Sequence, residues 1–342
     1  MIVGALAVSI YLNTMLDLVH YVPALGDNSP AASGGDVVPM GTPGEDLTTA
    51  SDSPKEQVSS IEDQLKKNLE DQSTPLMNDK NVLNILLIGS DNRADVGGSR
   101  SDSMIIVSIN KNTKQLIMTS LLRDIYLSIP GHGNDRLNAA YAYGGADLLI
   151  QTIQDNFKIE IDRYVSVDFM AFVDIIDQLG GVTVTVTAAE LPYVNDSVRE
   201  INSLENLPEN DGVLGSAGDN LLLTGKQALG YARIRHIGDD FGRTQRQRTV
   251  LSQVFAQVKD ENLFELNQTM TTLLPYITTN FTKGELVSLL LDMVSVSKYP
   301  VVQETIPIDG SWNNLVIRSM AVLGINFKTN INQMQQTIYG GP

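Results

Sequence analysis

The sequence contains no cysteine, so disulfide bonds, thiolate metal ligands and cysteine nucleophiles are excluded. It has only three histidines, which makes a zinc site built from several imidazoles unexpected. Positive charge is also scarce, because 24 lysines and arginines stand against 40 aspartates and glutamates and give a formal net charge of −16. A phosphate backbone needs a basic surface, so this balance argues against DNA or RNA as a partner. The glycine signatures of P-loop, dinucleotide-binding and α/β-hydrolase enzymes are missing as well.

The first 81 residues predict an anchor followed by a linker. Residues 1–25 begin with an apolar, uncharged run that is cleanest over residues 1–12. The run is shorter than the roughly 20 residues that span a bilayer, and no lysine or arginine cluster precedes it. We interpret it as a truncated membrane anchor, with a buried N-terminal helix as the alternative. Residues 26–81 are predicted to be a disordered linker rich in Gly, Ser, Pro, Asp and Thr, with one short packing or juxtamembrane helix near 56–71.

From residue 82 to residue 342 we expect one folded domain. Short β-branched apolar runs alternate with stretches of helical periodicity, which is typical of an α/β fold. Strands are predicted at 82–88, 104–109, 115–122, 164–167, 182–186, 301–306 and 314–318, and helices at 138–157 with a break at 144–145, 169–179, 224–231, 242–259, 263–275 and 282–296. Residues 188–220 are polar and are expected to be irregular. The predicted architecture is an α/β/α sandwich with a central mixed β-sheet.

The segment 229–249 concentrates arginine in this acidic chain, and it predicts a short strand, a Gly-Asp-Asp-Phe-Gly loop and a helix. Arg233 and Arg235 are two residues apart, so on a strand both side chains point to one face. Arg243 and Gln247 are four residues apart on the helix and continue its apolar stripe, which turns them inward near the helix N-terminus. Four such donors suit a pyrophosphate.

Arg246 and Arg248 lie off the inward stripe of the same predicted helix. For these two, an exposed helix face with ordinary ion pairs explains the sequence as well as ligand binding does.

Two carboxylates flank the predicted phosphate site. Asp91 follows the first predicted strand directly, and Asp102 comes just before the second. If these strands pair antiparallel, both carboxylates lie at one end of the sheet. Carboxylate oxygens are the hard ligands that Mg²⁺ needs beside a pyrophosphate. The alternatives are a loop cap for Asp91 and a turn residue for Asp102.

Arg123 and Asp124 follow the third predicted strand, at the carboxyl end where α/β folds place ligands. Arg123 would join the phosphate donors, and Arg100 points to the same mouth. Asp124 would orient an arginine or act as a base. A salt-bridged turn is the alternative for this pair.

Seven segments, in this order, resemble the LytR–CpsA–Psr proteins of Gram-positive cell envelopes. They are NILLIGSD at 84–91, RSDSMI at 100–105, SLLRD at 120–124, LNAAYAYGG at 137–145, LGGV at 179–182, LTGKQALGYARIR at 223–235 and DFGRTQRQ at 240–247. The resemblance covers residues 82–259, about half of the chain, and residues 260–342 look like the C-terminal completion of the same domain. The short, uncharged N-terminal segment is the main departure from the family pattern.

The resemblance implies a membrane-anchored, extracytoplasmic phosphotransferase that works with Mg²⁺. Such enzymes move a glycopolymer, of teichoic acid or capsule type, from an undecaprenyl-pyrophosphate carrier to a sugar hydroxyl of peptidoglycan and form a phosphodiester bond. By the resemblance, Asp91 and Asp102 would hold the metal, Asp240 would support the site, and the pyrophosphate would be held by Arg100, Arg123, Arg233, Arg235, Arg243 and Gln247. The family's polyprenyl chain lies in an apolar tunnel between the sheet and the helices.

Two other functions remain open at this point. In a polyprenyl-pyrophosphate hydrolase, water replaces the sugar hydroxyl in the same site. A non-enzymatic envelope regulator is the second alternative, although the sequence lacks the basic face and helix-turn-helix of a DNA reader.

Overall fold

The structure is a computed structural model that describes residues 19–21, 52–71, 73–90, 100–258 and 263–340. In chain order, the strands are β1 (His20–Tyr21), β2 (Val82–Ser90), β3 (Ser101–Asn110), β4 (Gln115–Leu121), β5 (Tyr126–Ile129), β6 (Gly133–Arg136), β7 (Arg163–Asp168), β8 (Val182–Val186), β9 (Gly218–Leu223), β10 (Thr278–Thr279), β11 (Val301–Ile306), β12 (Trp312–Ile317) and β13 (Met320–Ile325). The helices are α1 (Lys55–Glu70), α2 (Leu137–Phe157), α3 (Phe169–Gln178), α4 (Leu191–Leu204), α5 (Gly225–Arg233), α6 (Asp239–Val258), α7 (Leu263–Leu273), α8 (Lys283–Val296) and α9 (Phe327–Tyr339).

Seven strands form the central sheet, in the order β1-β10-β7-β2-β3-β4-β11. The pairs β2–β3, β3–β4 and β10–β7 are antiparallel, whereas β2–β7, β4–β11 and β1–β10 are parallel. The predicted mixed sheet is therefore confirmed, and its central strands lie where the apolar runs of the sequence placed them. Because β2 and β3 pair antiparallel, the end of β2 and the start of β3 meet at one edge of the sheet.

Helices cover both faces of this sheet. On one face, Leu86, Ile106 and Ile117 pack against α2 and α9 through a core that includes Phe157 and Met334. On the opposite face, Ile85, Ile105, Val107 and Met118 pack against α6 and α8. The predicted α/β/α sandwich is thus the observed architecture. The helix break expected at 144–145 is also present, because Gly145 takes a left-handed φ of 65° inside α2.

A smaller core joins the antiparallel strand pair β8–β9 to α3, α4 and α5 beside the sandwich. The prediction that residues 188–220 are irregular is wrong in two places, since α4 lies within this range and β9 begins in it. In α4, Val194, Val198 and Ile201 are buried and form an apolar stripe on an otherwise polar helix. Helix α5 begins where it was predicted to begin. A capping box stabilises this end, because the side chains of Thr224 and Gln227 each accept a hydrogen bond from the other residue's backbone N–H.

The folded domain begins earlier than residue 82. Helix α1 lies inside the predicted linker, but its Ile61 and Leu65 are 7% and 1% exposed and belong to the main core. Ser53 N donates to Val316 O at 2.8 Å and continues the attachment to β12. The expected packing helix near 56–71 is therefore present, and the linker prediction is wrong for this stretch.

Residues 20–21, within the expected anchor, form β1 and pair with β10 at the edge of the sheet. The rest of the anchor and linker predictions falls on residues 1–18 and 22–51, which lie outside the described residues. Within the described part of the chain, no helix is both long enough and apolar enough to cross a membrane.

Candidate functional site

Asp102 is the centre of a charged cluster at one edge of the central sheet. It lies near the start of β3, and Arg123 comes just after the end of β4, the antiparallel neighbour. Arg123 Nη1 donates to Asp102 Oδ1 at 3.0 Å, and Arg235 Nη2 donates to the same oxygen at 3.1 Å. Burial alone would raise the pKa of Asp102, but the positive charges of Arg235, Arg123 and Arg243 outweigh it and lower that pKa. Asp102 is therefore an ionised carboxylate that gathers guanidinium groups.

Asp124 and Asp240 form a hydrogen-bonded carboxyl pair beside this centre. Arg123 Nε lies 3.3 Å from Asp124 Oδ2, and Arg136 Nη1 lies 3.4 Å from Asp124 Oδ1. Burial and the neighbouring Asp240 raise the pKa of Asp124 to about 6, against the opposing charges of Arg123 and Arg136. Burial would also raise the pKa of Asp240, but Arg243 and the hydrogen bond from Asp124 lower it. Burial and the contact between the two carboxyls therefore favour a proton within this pair.

Arg243 reaches the cluster from the first turns of α6. Its side chain is 2% exposed, and its Nη1 lies 2.8 Å from Asp240 Oδ1. Within the described part of the chain, its three guanidinium nitrogens have no hydrogen-bond partner of acceptable geometry. Burial lowers the pKa of Arg243 to about 10, which leaves it protonated at neutral pH. Since buried donors are ordinarily hydrogen-bonded, these nitrogens are suited to an anionic ligand.

Gln247 follows Arg243 by one helical turn, and Ser103 Oγ donates to its Oε1 at 3.1 Å. The predicted inward stripe of this helix is therefore confirmed for Arg243 and Gln247. Ser103 also connects the cluster to the sheet, because it is the register partner of Gly89 on β2.

The structure does not bring Arg233 to this cluster. The predicted strand through Arg233 and Arg235 is wrong, because Arg233 ends α5 and the next residues form a loop. Arg233 Nη1 lies 3.2 Å from Glu200 Oε2, and its guanidinium lies 4.9 Å from the ring centre of Phe169. The two arginines therefore diverge, and only Arg235 contacts Asp102.

Arg100 lies close enough to Tyr143 for its charge to lower the pKa of the phenol against the larger raising effect of burial. Arg100 therefore lies near Tyr143 of α2, and it comes two residues before Asp102 in the sequence. Asp91, the second predicted metal ligand, lies outside the described residues.

Arg246 and Arg248 are not surface residues, although they lie off the inward stripe. Arg246 Nε donates to Glu190 Oε1 at 2.8 Å, and Arg248 Nη1 donates to Ser120 Oγ at 2.6 Å and to Thr305 Oγ1 at 2.8 Å. Helix α6 is covered on more than one side, because β4 and β11 lie against one flank and the loop before α4 lies against another. Both arginines are buried structural groups, so the exposed helix face, one of the two alternatives left open by the sequence, is excluded for them.

Sequence reasoning missed Arg136, which holds Asp124 from the end of β6. It also missed Ser103 as a partner of Gln247. The available signal for Arg136 was its position directly before the segment 137–145, one of the seven segments that carry the resemblance.

An apolar surface leads to the cluster along the sheet face that α6 and α8 cover. Leu83, Leu87 and Val165 lie on central strands of this face, yet they are only half-buried. Leu87 and Val165 are register partners, and Gly89 continues the same row toward Ser103. Central strands of a sandwich are normally covered by packed side chains. The incomplete cover leaves an apolar surface that ends at the charged cluster.

The cluster favours a bound polyanion. Among the described residues, four guanidinium groups face three carboxylates, and the excess of positive charge increases when Asp124 holds a proton. Burial strengthens each attraction between opposite charges, because little water is present to screen it. Planar guanidinium groups bind phosphate oxygens in a forked geometry.

Comparisons with known proteins find similar sequences and similar folds. The chain matches the LytR_cpsA_psr family over residues 46–337. It is 33% identical over 259 residues to the regulatory protein MsrR of Staphylococcus aureus, a match that covers 75% of this chain and 74% of MsrR. It is 38% identical over 185 residues to the polyisoprenyl-teichoic acid–peptidoglycan teichoic acid transferase TagU of Oceanobacillus iheyensis, a match that covers 52% of this chain and 51% of TagU.

Among solved structures, the fold is similar to that of TagT bound to LI-WTA. The TM-score is 0.60 at 26% identity, and the similarity covers 77% of this chain and 92% of TagT.

Proposed function

The chain belongs to the LytR_cpsA_psr family, and from this premise we propose that it is a phosphotransferase that attaches a glycopolymer to peptidoglycan. The donor is a teichoic acid or capsular polymer on an undecaprenyl-pyrophosphate carrier, and the product is a phosphodiester at a peptidoglycan sugar hydroxyl. The relative TagU, whose name describes this kind of transfer, supports the proposal. The observation that carries it is the buried guanidinium of Arg243, whose donors face the cluster around Asp102.

The pyrophosphate of the donor is held by the arginines of the cluster. Arg123, Arg235 and Arg243 approach Asp102 from β4, from the loop after α5 and from α6, so they surround a ligand from three directions. Gln247 adds an amide beside Arg243, and Arg100 extends the donors at the mouth. Arg233 is assigned no contact to the pyrophosphate, because its guanidinium is bound to Glu200.

The polyprenyl chain of the donor lies on the apolar surface formed by Leu83, Leu87 and Val165. This surface provides what such a chain needs, since burial of apolar area stabilises it by about 25 cal/mol per Å². This apolar surface ends at Ser103 and Gln247, next to the arginines that we propose bind the pyrophosphate. We further propose that residues 1–25 anchor the protein in the cell membrane, with the catalytic domain outside the cytoplasm.

In the transfer step, the acceptor hydroxyl attacks the phosphorus that carries the glycopolymer. A new phosphorus–oxygen bond forms, the bridging bond breaks, and the polyprenyl phosphate leaves. Negative charge builds on the phosphoryl oxygens, and the arginines stabilise it in place. The hydroxyl proton passes to Asp124, whose pKa of about 6 leaves a carboxylate at neutral pH that is a stronger base than an ordinary aspartate.

Of the two predicted Mg²⁺ ligands, Asp102 lies among the described residues and is suited to the ion. Asp102 is an ionised carboxylate at the cluster, and oxygen ligands of this kind suit Mg²⁺. No group of three or more potential metal ligands occurs among the described residues, so Asp102, Asp91 and phosphate oxygens would share the ion. When bound, the ion would neutralise charge on the phosphoryl oxygens.

A polyprenyl-pyrophosphate hydrolase would use the same cluster, with water in place of the sugar hydroxyl. The relative MsrR is named a regulatory protein, so a regulatory role is the second alternative. A regulator without enzymatic activity would bind the donor but leave it unchanged.

The test is to incubate the purified protein with Mg²⁺, a polyprenyl-pyrophosphate-linked glycan and a soluble peptidoglycan oligomer. We expect a product whose mass equals glycan, phosphate and oligomer joined by a phosphodiester. Asp102→Asn should abolish that product and keep the thermal transition, whereas Leu204→Ala, on an exposed helix end, should leave it unchanged. Free glycan phosphate without adduct would identify a hydrolase, and an unchanged donor would contradict both enzymatic functions.

A further inference from the structure

The loop between α5 and α6 is held in one conformation by a buried arginine. Arg246, 6% exposed, donates through Nη1 to Ile234 O at 3.0 Å and through Nη2 to Ile237 O at 2.6 Å. Its Nε binds Glu190, which comes just before α4. Burial would raise the pKa of Glu190, but the bonds from Arg246 and Thr187 lower it, so the pair is ionic.

The same loop depends on a glycine at the start of α6. A Cβ at position 242 would lie 2.9 Å from the backbone oxygen of Ile237, which is a steric clash. The chain thus fixes both ends of the short segment 234–238. This rigidity has a consequence for the two residues in its middle, because their side chains are presented in fixed directions.

Arg235 and His236 are these two residues, and they make different contacts. Arg235 reaches Asp102 at the charged cluster, whereas the His236 ring stacks on Tyr193 of α4. The ring centres are 5.2 Å apart and the planes meet at 25°. Tyr193 is 36% exposed and His236 is also exposed, so this pair is not part of the core. Consecutive Cα atoms are about 3.8 Å apart, so the aromatic pair begins one residue away from a phosphate-binding arginine.

We propose that Tyr193 and His236 form a sugar-binding platform beside the charged cluster. The proposal rests on the proposed function, because it assigns the site of a sugar that is bonded to, or attacks, the phosphorus. The face of a sugar ring carries C–H groups with a small positive charge, and the face of an aromatic ring is negative, so a sugar can stack on the outer face of the Tyr193–His236 pair, away from the face that the partner ring covers. The polar edge of His236 is left for the hydroxyl groups around the sugar ring.

A phosphotransferase that joins two glycans has a geometric need for such a surface. The arginines fix the phosphorus but do not orient a sugar, and a hydroxyl must lie in line with the leaving oxygen. A platform on the loop that carries Arg235 keeps the sugar and the phosphate in register. The sugar belongs either to the donor polymer or to peptidoglycan, and both offer the same kind of ring.

Three probes and three variants test the platform. The probes are a polyprenyl pyrophosphate without sugar, the same lipid linked to an N-acetylhexosamine saccharide, and a soluble peptidoglycan oligosaccharide. The variants are Tyr193→Leu, which removes the ring, Tyr193→Phe, which keeps it, and Leu204→Ala, which changes an exposed apolar residue on the same helix. Tyr193 is exposed at the start of α4, so its replacement should not affect folding.

We expect Tyr193→Leu to weaken one of the two glycan probes on the order of three- to tenfold, the range of an aromatic stacking contact. The sugar-free lipid should bind as in the wild type, and Tyr193→Phe and Leu204→Ala should bind every probe normally. The probe that loses affinity identifies the sugar as donor or acceptor.

Unchanged affinity of Tyr193→Leu for both glycan probes would overturn the platform. An equal loss for all three probes would also overturn it, since the ring would then act on the pyrophosphate site. If the wild-type protein fails to bind the sugar-free lipid, the proposed function fails instead, and the peptidoglycan oligosaccharide still tests the platform.

Discussion

Replacing Arg235 with alanine tests the charged cluster at its most accessible member. The side chain of Arg235 is 40% exposed, and its Nη2 donates one hydrogen bond to Asp102 Oδ1 at 3.1 Å. An exposed ion pair contributes about 0–1 kcal/mol to folding, so Arg235→Ala should keep a near-normal thermal transition. A charge-assisted contact to phosphate contributes about 1.5–3 kcal/mol, so the affinity for a polyprenyl pyrophosphate should fall about ten- to a hundredfold.

Arg233 supplies the matched control for this experiment. It lies two residues earlier, its side chain is 28% exposed, and its guanidinium is bound to Glu200. Arg233→Ala should therefore bind the lipid as the wild type does. Arg235→Lys should recover only part of the lost affinity, because an ammonium group does not fork onto two oxygens. Binding would be followed by calorimetric titration of detergent-solubilised lipid.

The reasoning would be refuted if Arg233→Ala lost as much affinity as Arg235→Ala. The two arginines would then act as one site, as the sequence alone predicts and the observed contacts do not. Equal affinity of Arg235→Ala and the wild type would exclude Arg235 from the pyrophosphate site.

Three further predictions concern stability. Arg248→Ala should lower the free energy of unfolding by about 2–4 kcal/mol in urea titrations, because several buried hydrogen bonds of roughly 1 kcal/mol each are lost; an unchanged midpoint would contradict the buried role. The pKa of Asp124 is raised to about 6 from 3.8, so its stabilising effect is complete below pH 4 and is lost as pH rises through 6; relative to Asp124→Asn, the wild type should lose up to about 3 kcal/mol between pH 4 and 7, and parallel pH profiles would exclude this. Leu65→Ala should cost about 2–5 kcal/mol if α1 belongs to the core, whereas Leu69→Ala, at a residue 40% exposed, should change stability by less than about 0.5 kcal/mol; equal effects would return α1 to the linker.

The central strands could be predicted because short, continuous apolar runs are typical of strands that are buried on both faces. In β2 and β3, nearly every side chain faces a helix layer, so burial leaves a continuous signal in the sequence. Arg243 and Gln247 were likewise predictable, since a four-residue spacing along an apolar stripe turns them toward the sheet. In each case the face that the hydrophobic periodicity of the sequence marks as buried is the face that makes the tertiary contacts.

The contacts of Arg233 and Arg248 could not be predicted for two physical reasons. A two-residue spacing puts side chains on one face only in a strand, and the helix end at Arg233 removes that condition. A single apolar stripe marks one buried side of a helix, but α6 is also flanked by β11 and by the loop before α4. Polar residues on those flanks are buried with partners distant in sequence, such as Thr305 for Arg248. The amphipathic stripe of α4 was available in the sequence and shows that a polar segment is not necessarily irregular.

The attachment of α1 to the end of the chain bears on how the protein folds during synthesis. Asn68 and Ser53 bond to Asn156 and Val316, and α1 contacts α9 across the same core. Helix α1 therefore has no complete binding surface until α9 (Phe327–Tyr339) has left the ribosome. Contacts of such long sequence separation slow folding, because a large loop must close before they form. We expect α1 to be the last helix to gain protection from proteases as the chain folds, and the first to lose it when α9 is deleted.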